Sequence, residues 1–148
     1  MEDTIAVLGR CTNGVMACLG DEDYPYAVPL NYVYYNDKIY FHSAKNGHKI
    51  DAVIKHPKVS FTVIDKDTIV SEGYTSYFRS VIAFGKARIT EGDEWQQGFK
   101  ALVEKYSGDM PEDAKHEKIT ECTRSHIVAI DIEYITGKEA IELVNAKK

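Results

Sequence analysis

Tyr26-Ala27-Val28-Pro29-Leu30-Asn31-Tyr32-Val33-Tyr34-Tyr35, then Asn36-Asp37, then Lys38-Ile39-Tyr40-Phe41, then His42-Ser43-Ala44-Lys45-Asn46-Gly47-His48-Lys49, is the stretch that decides the fold. Its first ten residues are rich in β-branched and aromatic side chains, which suit a pleated surface. Asn36-Asp37 marks a turn, and Lys38 to Phe41 resumes the extended pattern, so the segment predicts a hairpin. Ile50, Val53 and Ile54 then fall at i, i+3 and i+4, the spacing of one apolar helix face. The polar octet His42 to Lys49 therefore lies just before a helix or in its first turn.

A helix start leaves its first N–H groups without internal acceptors and concentrates partial positive charge there, so it suits a small anion. Ser43 can donate from its hydroxyl, Lys49 carries a full charge, Gly47 permits a tight turn, and His42 can donate from its ring. The plainer reading stands beside this one. In it Ser43 or Asn46 caps the helix, Lys49 is solvated, and His42 is an ordinary strand-end histidine.

Outward from this stretch, residues 3–10 predict a short helix and Gly14 to Gly20 a first strand. Val59, Phe61 and Val63 alternate with polar neighbours as a strand, and residues 71–76 read as a loop. Ser80 to Glu91 predicts a further strand, buried on both faces along Val81-Ile82-Ala83-Phe84, with Gly85 permitting a bend or a close ligand approach. Trp95, Phe99, Leu102, Val103 and Tyr106 follow helical spacing and form a packing face that ends at Gly108 and Pro111. Residues 113–123 suggest a second, solvated helix. Val128, Ile130, Ile132 and Tyr134 alternate as a half-buried strand, which Gly137-Lys138 is expected to turn into a final strand at Ala140 to Val144. Six or seven strands with hairpin-scale connections and no βαβ repeat predict a mainly β fold, an antiparallel sheet curled into a barrel with peripheral helices. No Gly-x-Gly-x-x-Gly follows a strand, which disfavours a dinucleotide fold.

One domain suits the 148 residues. A net charge of −5 argues against a nucleic-acid partner, and the longest apolar runs fall far short of a membrane span. Met1 is followed at once by Glu2 and Asp3, with no basic segment leading into an apolar stretch, so a cytoplasmic location is expected. Cys11, Cys18 and Cys122 are odd in number and lack Cys-x-x-Cys spacing, which favours free thiols, with Cys18 as a small core hydrophobe. The five histidines form no close-spaced ligand signature, so no metal is expected. Ten tyrosines suit either strand surfaces or a subunit interface.

Four segments in order resemble the flavin-binding half of the pyridoxamine 5′-phosphate oxidase-like split-barrel superfamily. They are Tyr24 to Tyr34, Ile39 to Ala44 with Gly47 and Lys49, His56-Pro57-Lys58-Val59-Ser60-Phe61, and Tyr77-Phe78-Arg79-Ser80-Val81-Ile82-Ala83-Phe84-Gly85-Lys86-Ala87. Glu133 to Lys138 resembles the closing strand, and the nitroimidazole-resistance branch looks nearest. The resemblance implies an FMN-binding split β-barrel, with the FMN phosphate held by His42, Ser43 and Lys49. It implies that the isoalloxazine ring lies along Asn31, Tyr32 and Val33, that Ser80 and Val81 approach it, and that a homodimer shares each flavin site. The Arg-rich C-terminal pattern of true pyridoxamine phosphate oxidases is not matched by Ile141 to Lys148, so vitamin B6 oxidation is not implied.

The expected activity is that of an FMN-dependent oxidoreductase acting on a small organic acceptor, for which a nitro-substituted heteroaromatic ring is one candidate. No nucleophile and base pair stands out, and His42 is the one candidate for proton delivery. The alternative is a non-catalytic flavin- or haem-binding protein of the same fold, or a dimeric ligand sensor; FAD or a deazaflavin in place of FMN also stays open.

Overall fold

The protein is described by a computed structural model covering residues 2–121 and 125–147. In chain order it comprises α1 (Glu2–Arg10), β1 (Asn13–Leu19), β2 (Pro25–Asn31), β3 (Val33–Tyr35), β4 (Lys38–Ala44) and α2 (His48–Lys55). There follow β5 (Lys58–Val70), β6 (Thr75–Ile89), α3 (Gly92–Ser107), α4 (Glu112–Glu121), β7 (Ser125–Glu139) and α5 (Ile141–Asn145). Short 3-10 turns at Asp21–Asp23 and Ser71–Gly73 connect β1 to β2 and β5 to β6.

All seven strands belong to one sheet in the order β2-β1-β5-β6-β7-β4-β3, and every pairing is antiparallel. The two edge strands, β2 and β3, are separated in the chain by Tyr32 alone, so the sheet must curl until its edges meet there. The rows show the stagger that such closure needs. From Leu30 the row runs through Gly14 and Val63 to Val81, whereas from Val33 it runs through Tyr40 and Ala129 to Arg88. Residues three apart across the β2–β3 junction thus belong to rows seven apart on β6. This is a split β-barrel.

The alternation expected at β5 follows from this geometry. Met16, Phe61, Val63, Val81, Ala83, Ile39, Phe41, Val128 and Ile130 point inward and are buried. Leu8 of α1 and Ile50 and Val53 of α2 join the same core, so each helix fills the barrel with its apolar face. Ile54 of α2 is exposed instead; the buried face is completed by Ala52. The aromatic stripe of α3 packs on the outside of β3, β4 and β7, where Phe99 and Leu102 meet Val33, Tyr40, Ile127 and Ala129. Burying a side chain of this size contributes about 1.5–3 kcal/mol, so a dozen fully buried ones fix the alternation of every strand.

Four local expectations are revised. Gly137 does not turn the chain: it sits opposite Val81, and β7 continues to Glu139 because β6 is long enough to pair with it. Ala140 to Val144 is not a strand. The Ala140 N–H donates to the Phe78 carbonyl, α5 follows, and the apolar alternation of Ile141 and Leu143 misleads because only Leu143 is buried. The loop expected over residues 71–76 is shorter, since Thr75 and Ser76 already pair with Val70 and Ile69. Within β6, Val81 and Ala83 are buried, but Ile82 and Phe84 lie half-buried on the outer face, where Phe84 stacks on Tyr134 at 4.6 Å. Gly85 marks a bulge in the β6–β7 ladder; a Cβ there would stand 2.0 Å from the Asp131 carbonyl oxygen.

Candidate functional site

The split itself is the candidate site. β3 and β4 pair only through Val33–Tyr40, Tyr34–Ile39 and Tyr35–Lys38, around an Asn36-Asp37 turn whose residues both take positive φ. Beyond Tyr40, β4 has no strand on this side, and β2, on the other lip, pairs with β1 alone. Two unpaired strand edges therefore diverge from an apex at Tyr32, each carrying main-chain donors and acceptors that a flat polar ligand can use.

The mouth of the split is closed by the start of α2. Its N-cap is Gly47, at φ 146°, with no side-chain capping hydrogen bond. Neither Ser43 nor Asn46 caps this helix, so its first amides keep their capacity for an anion. Lys49 is half-buried in the first turn, and Asp51 shares that turn and opposes an anion there. His48 is committed elsewhere: its Nδ1 lies 3.3 Å from Asp21 Oδ2, and its ring sits edge-on to Tyr26.

Strand alternation divides the remaining candidates. His42 is exposed on the outer face of β4, whereas Ser43 is 4% exposed on the inner face and donates its hydroxyl to the Ala44 carbonyl at 3.0 Å. The two side chains point away from one another. At the apex, the Tyr32 ring is buried, its hydroxyl donates to the Leu8 carbonyl at 2.6 Å, and burial pushes its titration up. Its own N–H donates to the Tyr106 hydroxyl at 3.0 Å, and that hydroxyl also contacts the carbonyls of Tyr32 and Thr12. Asn31 is exposed and donates from Nδ2 to the Thr12 carbonyl at 2.8 Å; Val33 is buried under α3.

Ser80 and Val81 are not at this split. They lie on β6, three strands from one lip and two from the other, on the far side of the barrel. Val81 faces the core, and Ser80 faces outward opposite Ile64 and Lys138. One chain thus gathers Asn31, Tyr32, Val33, His42, Ser43 and Lys49 around one opening and leaves Ser80 and Val81 outside it.

Beside Ser80 the outer face presents two rows without a charged residue. One is Pro29, Val15, Thr62, Ile82 and Thr136; the other is Ala27, Ala17, Ser60, Phe84 and Tyr134. Tyr134 is 57% exposed, and a shallow depression of about 360 Å³ opens beside Ala17, Leu19 and Phe84.

Sequence reading missed the groups that fix the site's frame. Lys105 places its ammonium 4.3 Å over the Tyr32 ring and donates to the Cys11 carbonyl; burial lowers its pKa. Asp65 occupies a bulge between Ile64 and Lys66 that turns its carboxylate toward Arg10 and Arg79. Hydrogen bonds from Arg10 hold it well below the usual carboxylate range against the opposing effect of burial. Arg88 pairs with both Glu94 and Asp131, which ties α3 to the sheet, and its guanidinium holds the Glu94 carboxyl at about 2. Only the break in alternation at Ile64-Asp65-Lys66-Asp67 signalled any of this.

A barrel open along one seam, with the seam's mouth set on a helix start, is the architecture of the split barrels. The pyridoxamine 5′-phosphate oxidase family model matches residues 2–139, and the chain belongs to that family. Comparison with curated proteins gives no match. Among solved structures, a conserved hypothetical protein of Mycobacterium tuberculosis superposes with a TM-score of 0.81 at 19% identity, over 97% of this chain and 86% of that one. A Bacteroides thetaiotaomicron protein provisionally assigned to 5-nitroimidazole antibiotic resistance gives 0.75 at 20% identity, over 92% and 81%. The FAD and haem binding protein of Mycobacterium smegmatis gives 0.73 at 16% identity, over 99% and 78%. At these identities the likeness establishes the fold. No described helix is long and apolar enough to cross a membrane.

Proposed function

We propose that this protein is a flavin-dependent oxidoreductase that holds FMN in the split and works as a two-fold homodimer. The observation that carries the reading is the coincidence of two unpaired strand edges with a helix start lacking a side-chain cap. The α2 amides, Lys49 and His42 hold the phosphate, and Ser43 contributes through its main chain, because its hydroxyl is turned into the core. The ring lies toward Asn31, Tyr32 and Val33. Ser80 and Val81 serve the same cofactor only as residues of a second subunit, since on their own chain they stand on the far side of the barrel; the uncharged outer rows supply the surface for that pairing.

When bound, the flavin supplies two-electron transfer to a small organic acceptor, and a nitro-substituted heteroaromatic ring is the candidate that the resistance-related neighbour suggests. His42, exposed at the lip, is the one candidate for proton delivery, a role alternative to its phosphate contact. The reading favours FMN because the helix start provides for one terminal phosphate; FAD is the alternative suggested by neighbours described as FAD-binding.

Purified protein given FMN should show the two-band spectrum of bound oxidised flavin. After anaerobic reduction, a nitroimidazole should reoxidise it. Protein that stays colourless with saturating FMN refutes the cofactor; a reduced flavin that a nitroimidazole leaves untouched refutes that acceptor. A Soret band in the purified protein would favour the haem-binding alternative.

A further inference from the structure

We propose that residues 66–77 form an arm that lies along the split of a second copy of this chain and covers it from apex to mouth. The arm is visible in the pairing. β5 pairs with β1 only from Ser60 to Val63, and β6 pairs with β7 only as far as Arg79 and Glu139. Beyond these limits Lys66 to Val70 and Thr75 to Phe78 pair as strands with each other alone, and the one further main-chain bond is the Ala140 N–H to the Phe78 carbonyl at the root of the ribbon. A two-stranded ribbon is marginal in water without a third strand or a packing surface. This one nevertheless leaves Ile69 73% and Tyr74 97% exposed.

Three observations name the occupant of that ribbon as a second copy. First, its outer face extends the sheet face that carries the uncharged rows: past Ile64 and Ser80 come Asp67 and Phe78, then Ile69 and Ser76. Lys138, the outward partner of Ser80, carries its ammonium 5.4 Å from the Phe78 ring, which puts Phe78 on that side. A partner seated on the rows therefore meets the arm as well. Second, the lengths agree. From Ser80 to Thr75 is five residues, and from Asn31 at the apex to Tyr26 beside the mouth is also five, each about 17 Å of strand. With the partner subunit's Ser80 at the apex, a placement that rests on the function proposed above, the tip of the arm reaches the mouth. Third, the charges are complementary. The tip carries Glu72, with Asp67 and Lys66 behind it, while the mouth carries Lys45 and Lys49 against Asp51, His48 being paired with Asp21. Among the described residues, neither Glu72 nor Lys45 nor Lys49 forms an ion pair within its own chain.

Zero-length carbodiimide coupling on protein refolded from a mixture of isotope-labelled and unlabelled chains tests the placement without any cofactor. The expected product joins Glu72 to Lys45 or Lys49 in peptides of mixed isotope, and disappears in Glu72→Gln. Mixed-isotope products that join arm to arm, or Glu72 products confined to single chains, overturn the proposal. In the FMN-loaded protein, Ile69→Asp with Tyr74→Ser should speed cofactor release on the order of tenfold at unchanged dimer mass, since affinity changes within one complex fall mainly on the off-rate. Unchanged release overturns the covering role. Protein that binds no FMN refutes the function proposed above, while the cross-links still decide where the arm lies.

Discussion

Tyr106→Phe tests what holds the barrel shut at the single-residue junction between β2 and β3. The Tyr32 N–H has no strand partner, because β2 ends at Asn31 and β3 begins at Val33, and it donates to the Tyr106 hydroxyl at 3.0 Å. The same hydroxyl lies 2.9 Å from the Thr12 carbonyl and also contacts that of Tyr32. Phenylalanine keeps the ring and removes all three contacts. A buried donor left without an acceptor costs about 1–3 kcal/mol, and Tyr32 is fully buried. Tyr106 itself is 39% exposed, so water can reach part of the vacated position, which places the cost in the lower half, about 1–2 kcal/mol. At about 2–4 °C per kcal/mol for a chain of this length, the melting temperature should fall by about 2–8 °C. Amide exchange at Tyr32 should accelerate more than exchange at Phe61, deep in the same core. A melting temperature within 1 °C of the parent, with exchange at Tyr32 unchanged, would show that the hydroxyl does not hold the junction.

Gly85→Ala should destabilise by about 1–3 kcal/mol or more in urea unfolding, because the new methyl meets the Asp131 main chain, which cannot rotate aside. Glu94→Gln should weaken stability most above pH 4.5, the ordinary value of the carboxyl. With the folded value held at about 2, the ionised group's contribution fades as pH falls through that interval, so the gap between the urea midpoints of variant and parent should shrink steadily and close only near pH 2; a constant gap would refute the linkage. Lys49→Ala should weaken FMN binding by about 1.5–3 kcal/mol, the scale of a charge-assisted hydrogen bond, and an unchanged titration would remove Lys49 from the site. Phe84→Glu should halve the mass seen by light scattering, since it places a charge in the middle of the uncharged rows; a parent that is already monomeric at micromolar concentration refutes the interface.

Local patterns carried the elements well where side-chain period and backbone preference agreed. The Asn36-Asp37 turn, the β5 alternation and the α3 stripe were legible because each is written within a dozen residues. The far end of β7 was not. Gly137 is a turn residue by preference, but the length of β6 opposite it kept the strand going, and nothing near Gly137 encodes that length. The site divided along the same line. The grouping of His42, Gly47 and Lys49 around one helix start is local and legible in the spacing, while the opposite facing of His42 and Ser43 follows from strand alternation. The remoteness of Ser80 depends on strand order, and the roles of Tyr106 and Asp65 depend on which loops meet at the apex; no spacing in the chain records either.

The row order also dictates a folding sequence. β1 with β2, β3 with β4, and β5 with β6 are neighbours along the chain and can zip early at small entropic cost. The seam between β4 and β7 joins Lys38 to Asp131, residues on the order of ninety positions apart, and cannot register until most of the chain is in place. Until then Ile39, Tyr40 and Phe41 sit on an unsatisfied edge, so the slow step of folding is also the interval in which this chain is most prone to aggregate.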